Sequence, residues 1–488
     1  MARSPGIMVV AASGLQSLSD ILYSADTKGV LNQIPARQWA LAPSAELIST
    51  VSARGGMPGL AALAESGDVR AQQLLGYMLI EQAIDQLESP ENGFSWLRRS
   101  ADQGFARAQH ALGYYYDEGR GIRKNQVEAA RWYRKAADQG YAPAQFSLSA
   151  LYVDGNGVSR DVAEAMRLCQ LAADQELTGG QTCLGDFFAD VDDVPRDYAK
   201  ALFWYRKAAD QGDAFGQARL ARLYAEGKGV NQDYGEALRW FHKAADQEDA
   251  WSQYYIGWIY ENGRGVTQDH VEAASWYRKA ADQGEPNGQY NLGRSYADGR
   301  GVARDYGEAM RWFRAAARQG DPQSAASVAY LYDNGLGVPR NTRAGFVWFK
   351  LAADRGLVDG LFGLANHYMV GEGVTRDPVA AMRYFRLAFD KGDFEAAASI
   401  GHLYKEGDGI PRDYAKSMHW YRLSADHGNG VAMAGVALHY ACGLGVKVDR
   451  GPALQWMKLA VENGYVDARK WLAENPTGEC RPFASPAL

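Results

Sequence analysis

A 36-residue period runs through most of the chain and limits the folds it can adopt. The phrase "AADQG" ends at Gly140, Gly212 and Gly284, and variants of it end at further glycines spaced by multiples of 36 residues. Residues 105–464 therefore hold ten repeats without an insertion, and residues 68–104 form an earlier, divergent copy. We number repeat positions from 1, just after this glycine, to 36. Such a period indicates one supersecondary unit that buries its apolar face by stacking on its neighbours.

Apolar residues recur with helical spacing inside each repeat. Position 4 is always Ala, Gly or Ser, position 8 is Leu, Ile or Val, and position 12 is Tyr or Phe, which predicts a first helix. Position 21 is always Asp or Asn, the preferred N-cap of a second helix that the glycine at position 36 ends. Small residues at position 9 face the aromatic residues of the second helix. The sequence thus predicts an all-α fold, an α-solenoid of about eleven αα-hairpins.

Lines such as "AQHALGYYYDEGRGIRKNQVEAARWYRKAADQG" (108–140) resemble the Sel-one-like repeat family, a relative of the tetratricopeptide repeats. The resemblance implies a right-handed superhelix whose concave groove is lined mainly by first helices. It also implies a scaffold or adaptor that binds a protein or peptide partner. Bacterial members assist secretion or act as immunity partners of secreted effectors, and either role is a concrete form of this expectation. The family supplies no catalytic motif, so we expect no enzyme activity.

The repeat array divides the chain into four predicted segments. Residues 1–44 form an N-terminal segment that is helical or partly disordered, and residues 45–67 form a divergent capping hairpin. The array fills residues 68–464, and residues 465–488 supply a C-terminal capping helix and a tail.

Charge and composition exclude several classes of function. The net charge of −6 argues against a nucleic-acid partner, which requires a basic face. No apolar run approaches the roughly 20 residues of a membrane helix, so we expect no membrane insertion. The N-terminal "MARSPGIMVVAASG" is a poor export signal, which favours a cytoplasmic protein over a periplasmic one. Without a His/Cys cluster or an S-x-x-K motif, we expect no metal, cofactor or serine chemistry.

Three further features have simple structural interpretations. The recurring GxG pairs predict turns between helices, and the repeat 177–212 lacks both of these glycines, so its loop should differ. His367 and His439 fall in a mostly apolar column and predict core histidines with satisfied hydrogen bonds. Cys169 and Cys183 stand seven residues either side of a turn, so a disulfide or two packed thiols would fit. We favour the two packed thiols, because cysteines stay reduced in the cytoplasm, the compartment favoured above.

The stretch "WSQYYIGWIY" (251–260) departs from the repeat pattern. Four of its rings occupy positions 3, 6, 7 and 10, outside the apolar stripe, in columns that neighbouring repeats keep polar. Because Trp, Tyr and Arg dominate binding hot spots, we predict a partner-binding surface centred on repeats 213–248, 249–284 and 285–320. The alternative for the rings is that they pack between repeats. The alternative function is binding of a carbohydrate or cell-wall ligand, and a hydrolase is less favoured than either binding function. The predicted surface comprises Phe215, Arg219, Arg222, Trp251, Tyr254, Tyr255, Trp258, Tyr290, Arg294 and Tyr330.

Overall fold

A computed structural model of the protein describes residues 57–481, and all regular secondary structure in that range is helical. Its 24 helices fall into two compact units that divide after Gln247. The N-terminal unit contains α1 Met57–Glu65, α2 Val69–Asp85, α3 Glu91–Asp102, α4 Ala106–Glu118, α5 Gln126–Asp138, α6 Ala142–Asp154, α7 Val162–Asp174, α8 Thr178–Asp190, α9 Tyr198–Asp210, α10 Ala214–Glu226 and α11 Tyr234–Ala245.

The C-terminal unit begins at Glu248. It contains α12 Ala250–Asn262, α13 His270–Asp282, α14 Pro286–Asp298, α15 Tyr306–Arg318, α16 Pro322–Asn334, α17 Thr342–Asp354, α18 Val358–Val370, α19 Pro378–Asp390, α20 Phe394–Glu406, α21 Tyr414–Ala425, α22 Gly430–Cys442, α23 Arg450–Glu462 and α24 Val466–Glu474. The predicted segment 1–44, the first part of the predicted hairpin 45–67 and the last seven residues, 482–488, lie outside the described residues. The capping roles of α1 and α24 stay predictions.

Each repeat is an αα-hairpin whose second helix begins at the predicted cap. Asp161 Oδ1 accepts a hydrogen bond from the Glu164 amide at 3.0 Å, and Asp305 Oδ1 accepts one from Glu308 at 3.0 Å. The residue at position 21 makes a bond of this kind in all ten repeats from 105 to 464. Such a cap contributes about 1 kcal/mol to a helix. The α-solenoid prediction is confirmed within each unit.

Aromatic rings of the second helix pack directly on glycines of the first. A Cβ atom added at Gly257 would lie 2.7 Å from Cδ1 of Tyr277, and one added at Gly293 would lie 2.7 Å from Cδ1 of Phe313. No side chain fits at these distances, so position 9 must be small wherever position 29 carries a ring. This confirms the predicted packing of small residues against aromatic ones.

The loops between first and second helices follow the GxG prediction. Gly119 and Gly121 have φ angles of 71° and 68°, the left-handed conformation that glycine adopts without a steric cost. In the repeat 177–212 the corresponding Val191 has φ −84° instead, so its loop differs, as predicted.

Both pairs of cysteines form disulfides. Cys169 on α7 is joined to Cys183 on α8 with a Cα–Cα distance of 6.0 Å, because residues equidistant from the turn face each other across the two helices. This corrects the expectation of two packed thiols. A second bond, which the sequence did not predict, joins Cys442 on α22 to Cys480 beyond α24, with Cα atoms 4.5 Å apart.

Two repeats end on a glutamate at position 36, where the others have glycine. Glu176 and Glu248 adopt φ angles of 61° and 64°, whereas a glycine such as Gly212 sits at 88°. The left-handed conformation costs a residue with a side chain about 1–2 kcal/mol.

We expect Glu248→Gly to raise the free energy of unfolding by about 1 kcal/mol, because the strain is relieved and only part of that gain is lost to the flexibility of glycine. Differential scanning calorimetry would measure the change in melting temperature. The converse substitution Gly212→Glu is the control and should lower it. An unchanged or lower melting temperature for Glu248→Gly would contradict the expectation.

A buried glutamine at position 5 and an exposed one at position 35 tie the two ends of a repeat together. Gln139 Nε2, at position 35, donates to Gln109 Oε1, at position 5, at 2.7 Å. Gln109 Nε2 in turn donates to the Ala101 carbonyl at 3.0 Å, and Gln109 is buried. The same Gln–Gln bond recurs in five more repeats, as Gln175–Gln145, Gln211–Gln181, Gln247–Gln217, Gln283–Gln253 and Gln319–Gln289.

The repeat 321–356 satisfies the corresponding carbonyl in another way. Its position 5 is Ala325, and Arg355 at position 35 donates from Nη1 to the Ala317 carbonyl at 3.2 Å. Positions 5 and 35 are both glutamine in six of the ten repeats from 105 to 464, and neither is glutamine in the other four.

Gln109→Ala should cost about 1–3 kcal/mol, because it removes two hydrogen bonds of a buried side chain, one to the Ala101 carbonyl and one to Gln139. The double change Gln109→Ala/Gln139→Arg copies the repeat 321–356 and should recover part of this loss. Hydrogen exchange of the α4 and α5 amides would measure local stability within this long array. Equal losses for the single and double variants would refute the coupling.

Candidate partner-binding site

The four predicted rings of α12 form one continuous cluster, which we call the aromatic patch: Trp251, Tyr254, Tyr255 and Trp258. Ring centroids lie 4.2 Å apart for Trp251 and Tyr255, 5.0 Å for Tyr254 and Tyr255, and 6.5 Å for Tyr255 and Trp258. All four side chains are half-buried. The patch is therefore neither a free surface nor a closed core.

The buried part of the patch rests on α13 of its own hairpin and on α14 and α15 of the next one. Tyr254 stacks on Tyr277 with centroids 6.1 Å apart, and Trp258 packs with it against a core cluster that includes Tyr277, Leu292 and Trp312. Burial raises the pKa of the Tyr254 hydroxyl well above its ordinary value, so it stays protonated and polar. One side of the patch thus packs against helices of its own unit and the other side remains accessible, and the partner-binding interpretation of the rings stays a prediction.

A cleft of about 390 Å³ adjoins the aromatic patch. Tyr254 and Trp258 line one side, and Tyr290 and Arg294 of α14 line another. Carboxamide side chains supply much of the remaining lining, from Asn262, Gln268, Asn287, Asn291 and Gln323. The cleft therefore combines aromatic walls and several neutral hydrogen-bonding groups with two guanidiniums, of Arg294 and Arg300, and one carboxylate, of Glu261.

Three of the predicted residues belong to the N-terminal unit and have a different environment. Phe215 is 43% exposed, and the Arg219 guanidinium lies 4.6 Å from its ring centroid. Arg219 pairs with Asp186 at 3.4 Å and Arg222 pairs with Asp190 at 2.5 Å. Both arginines are thus neutralised by their own unit, so neither offers an unpaired charge to a partner.

The structure thus brings four of the ten predicted residues around the cleft. Tyr254, Trp258, Tyr290 and Arg294 line it, and Trp251 and Tyr255 complete the adjoining patch. Tyr330 on α16 is 57% exposed but does not line the cleft. The carboxamides were visible in the sequence only as polar members of the first-helix columns, and their convergence requires the stacking of α12, α14 and α16.

The side chains and helices of residues 57–481 also bear on metal binding and on membrane insertion. That range contains no group of three or more His, Cys, Asp or Glu side chains arranged to hold a metal ion. None of the helices described is both long and apolar enough to cross a membrane.

Histidines at position 11 are core residues, as predicted. His367 Nδ1 lies 2.6 Å from the Glu372 carbonyl and Nε2 lies 2.8 Å from Asp333 Oδ2. Burial alone would lower the pKa of His367, but the Asp333 carboxylate and the Glu372 carbonyl outweigh it and raise the pKa above its ordinary value. His439 is fully buried and bonds the Gly435 carbonyl through Nδ1, while Nε2 has no partner.

The His367–Asp333 pair predicts a pH-dependent term in stability. A histidine whose pKa is higher in the folded than in the unfolded chain stabilises the fold below the unfolded value of 6.5, and the contribution is lost as the pH rises through the folded pKa. His367→Gln should therefore destabilise by about 1–3 kcal/mol at pH 5.5 and by less at pH 8.5. Urea unfolding at both pH values would measure this, and a pH-independent difference would contradict it.

Comparison with known proteins agrees with this fold. The Sel1 repeat matches eleven consecutive segments, from 69–105 to 430–465. A solved protective antigen of uropathogenic Escherichia coli is 30% identical, with a TM-score of 0.61, and the match covers 86% of this chain and 92% of that one. A search of curated proteins gave no match.

Two further solved structures are shorter than this chain. A Sel1 repeat protein from Oxalobacter formigenes is 33% identical, with a TM-score of 0.49 and coverage of 66% and 94%. An immunity protein of Pseudomonas aeruginosa is 22% identical, with a TM-score of 0.31 and coverage of 47% and 83%, a likeness too slight to bear on function. From the repeat matches, the chain belongs to the Sel1 repeat family, whose α-solenoids are generally non-catalytic scaffolds for protein interactions.

Proposed function

We propose that the protein is a non-enzymatic adaptor that binds a protein partner through the aromatic patch and the adjoining cleft. One observation carries this proposal: four half-buried rings contact one another along α12, and in the neighbouring repeats positions 7 and 10 of the same columns carry Arg or Asn. An aromatic side chain buries about 150–250 Å² when covered, so the accessible parts of four adjoining rings together form an apolar surface that a partner can cover. Trp and Tyr in such clusters are the side chains that dominate binding hot spots.

The support beneath the rings also favours binding. Because Tyr254 and Trp258 already pack on Tyr277 and Leu292, they lose little conformational freedom when a partner covers them. A preorganised aromatic surface retains more of its contact energy as affinity. The carboxamides of the cleft can then pair with polar groups of the partner, which apolar rings alone would leave unsatisfied.

The proposed site is narrower than the surface expected from the sequence. We exclude Arg219 and Arg222 from it because Asp186 and Asp190 already neutralise them. An effector-immunity or secretion-accessory role remains a narrower hypothesis that rests on the family resemblance. The two disulfides favour the periplasmic alternative over the cytoplasmic location, because cytosolic thiols are kept reduced.

Panning a phage-displayed random dodecapeptide library on the full chain would test the proposal, followed by fluorescence anisotropy of the selected peptides. Trp251→Ala/Trp258→Ala should weaken their binding by about 30-fold, the equivalent of ~2 kcal/mol for hot-spot residues. Trp251→Ala alone should also weaken it, which guards against a folding defect from the packed Trp258 ring.

Trp276→Ala is the matched control, since this half-buried tryptophan of α13 lies outside the patch and bonds Glu272 through Nε1 at 2.8 Å. It should leave affinity within about twofold, well below a hot-spot effect. Unchanged affinity in the patch variants would overturn the proposal. Binding to oligosaccharides on a glycan array, with no peptide selected, would replace it with the carbohydrate-binding alternative, because rings and carboxamides also suit sugars.

A further inference from the structure

Building on the proposed function, we infer that the cleft recognises an acidic side chain, Asp or Glu, within an extended peptide segment of the partner. Arg294 would bind that carboxylate, and the carboxamides on either side would bind the main chain. The inference rests on three observations. Arg294 lacks an internal counter-ion, the nearby carboxylates interact with other groups, and the carboxamides lie on more than one helix around Arg294.

Arg222 of the N-terminal unit shows a contact that an arginine at position 10 can make. Arg222 occupies position 10 of its repeat and pairs with Asp190, at position 14 of the preceding repeat, at 2.5 Å. Arg294 also occupies position 10, but position 14 of its preceding repeat is Asn262. Both Arg294 and Asn262 line the cleft. The neutral side chain of Asn262 therefore occupies, relative to Arg294, the position that the counter-ion Asp190 occupies relative to Arg222.

No other described carboxylate replaces the missing partner. Arg294 Nη1 lies 3.4 Å from Asn291 Oδ1 and its guanidinium lies 5.9 Å from the Tyr290 ring centroid, and it forms no ion pair with residues 57–481. Asp298, one turn further along α14, pairs with Arg300 at 3.7 Å. A guanidinium carries five N–H donors, so most of those on Arg294 remain available to a ligand in the cleft.

Glu261 also lines the cleft, but its carboxylate forms no ion pair with Arg294. Glu261 Oε2 accepts the Tyr277 hydroxyl at 2.6 Å, across the hairpin of α12 and α13. The two guanidiniums of the cleft lining, of Arg294 and Arg300, outnumber its one carboxylate, and Arg294 is the guanidinium that forms no ion pair with residues 57–481. Charge complementarity favours an anionic group on the partner, and a carboxylate suits the planar, two-pronged geometry of arginine.

The carboxamides indicate an extended chain around that anion. Asn287 and Gln323 occupy position 3 of successive repeats, on α14 and α16, and both line the cleft with Arg294. Asn287 Nδ2 bonds Glu285 at 2.9 Å, which leaves its Oδ1 as an acceptor. An extended peptide has unpaired main-chain N–H and C=O groups, and carboxamides can satisfy both kinds. Because amides lie on more than one helix, they can bind the peptide on both sides of the acidic residue. This favours the carboxylate of an Asp or Glu side chain over that of a peptide C-terminus.

The test uses the full chain and a synthetic array of N-acetylated, C-amidated heptapeptides in matched sets with Asp, Glu, Asn or Gln at the centre. Acidic peptides should bind at least about tenfold more tightly than their amide counterparts, and this preference should shrink in 0.5 M salt. Arg294→Gln should abolish the preference while leaving the amide peptides within about twofold.

Asn262→Asp provides the sharper variant, because it restores the internal counter-ion by analogy with Asp190 and Arg222. It should likewise weaken acidic peptides by about tenfold and spare the amide set. Asn334→Asp is the matched control: Asn334 also occupies position 14 and bonds the carbonyl four residues earlier at 2.9 Å, but position 10 of the next repeat is Asn366. It should change neither set. Circular dichroism would confirm folding of each variant, and Arg294→Gln decides the matter should Asn262→Asp unfold.

The outcomes separate this inference from the proposed function. Equal binding of acidic and amide peptides, still lost in Trp251→Ala/Trp258→Ala, would overturn the carboxylate assignment and leave the adaptor proposal standing. Tighter binding of peptides whose sole carboxylate is a free C-terminus would overturn the assignment to a side chain. Binding of uronic-acid oligosaccharides with no peptide bound would overturn both.

Discussion

The contact between a ring at position 29 and a small residue at position 9 is the constraint on which most of the hairpins depend. Eight of the ten repeats from 105 to 464 carry this ring, and Cys169 and Met457 replace it in the other two. At Gly257 the Tyr277 ring occupies the space of the missing Cβ, so the two helices approach more closely than side chains would otherwise allow. This closure uses positions 4, 8, 9 and 12 of the first helix. Positions 3, 6, 7 and 10 lie outside this closure and vary more widely in residue type, and they are the positions at which the aromatic patch appears.

Much of the fold could be predicted because its determinants are local. The cap at Asp161, the turn at Gly119 and the glycine under the Tyr277 ring each follow from residue types at fixed spacing. The bond between Cys442 and Cys480 could not be predicted in this way, because it joins the last hairpin to a tail that follows no period. For Cys169 and Cys183 the spacing was informative, but it left two chemical outcomes open, and the compartment argument favoured the wrong one.

The candidate site was predictable in its rings and less so in its charges. Trp251 and Trp258 were recognisable because they break the column pattern. Arg222 and Arg294 are the same residue type at the same repeat position, so the sequence does not distinguish them. The distinction between them depends on position 14 of the preceding repeat, which becomes relevant only once the stacking of first helices shows that the two positions meet. Similarly, Gln109 and Gln139 lie 30 residues apart, and their hydrogen bond follows from packing rather than from local propensity.

The glutamine bond has a consequence for how such an array can lengthen. Gln109 and Gln139 belong to the same 36 residues, so tandem duplication of that stretch of gene copies the interaction whole. By contrast, Arg134 bonds the Tyr152 hydroxyl of the following repeat, an interaction that a new copy regains only if its neighbour carries the same tyrosine. Recent copies can therefore enter the array at little cost in stability while their exposed columns diverge. An extended recognition surface can evolve one duplication at a time.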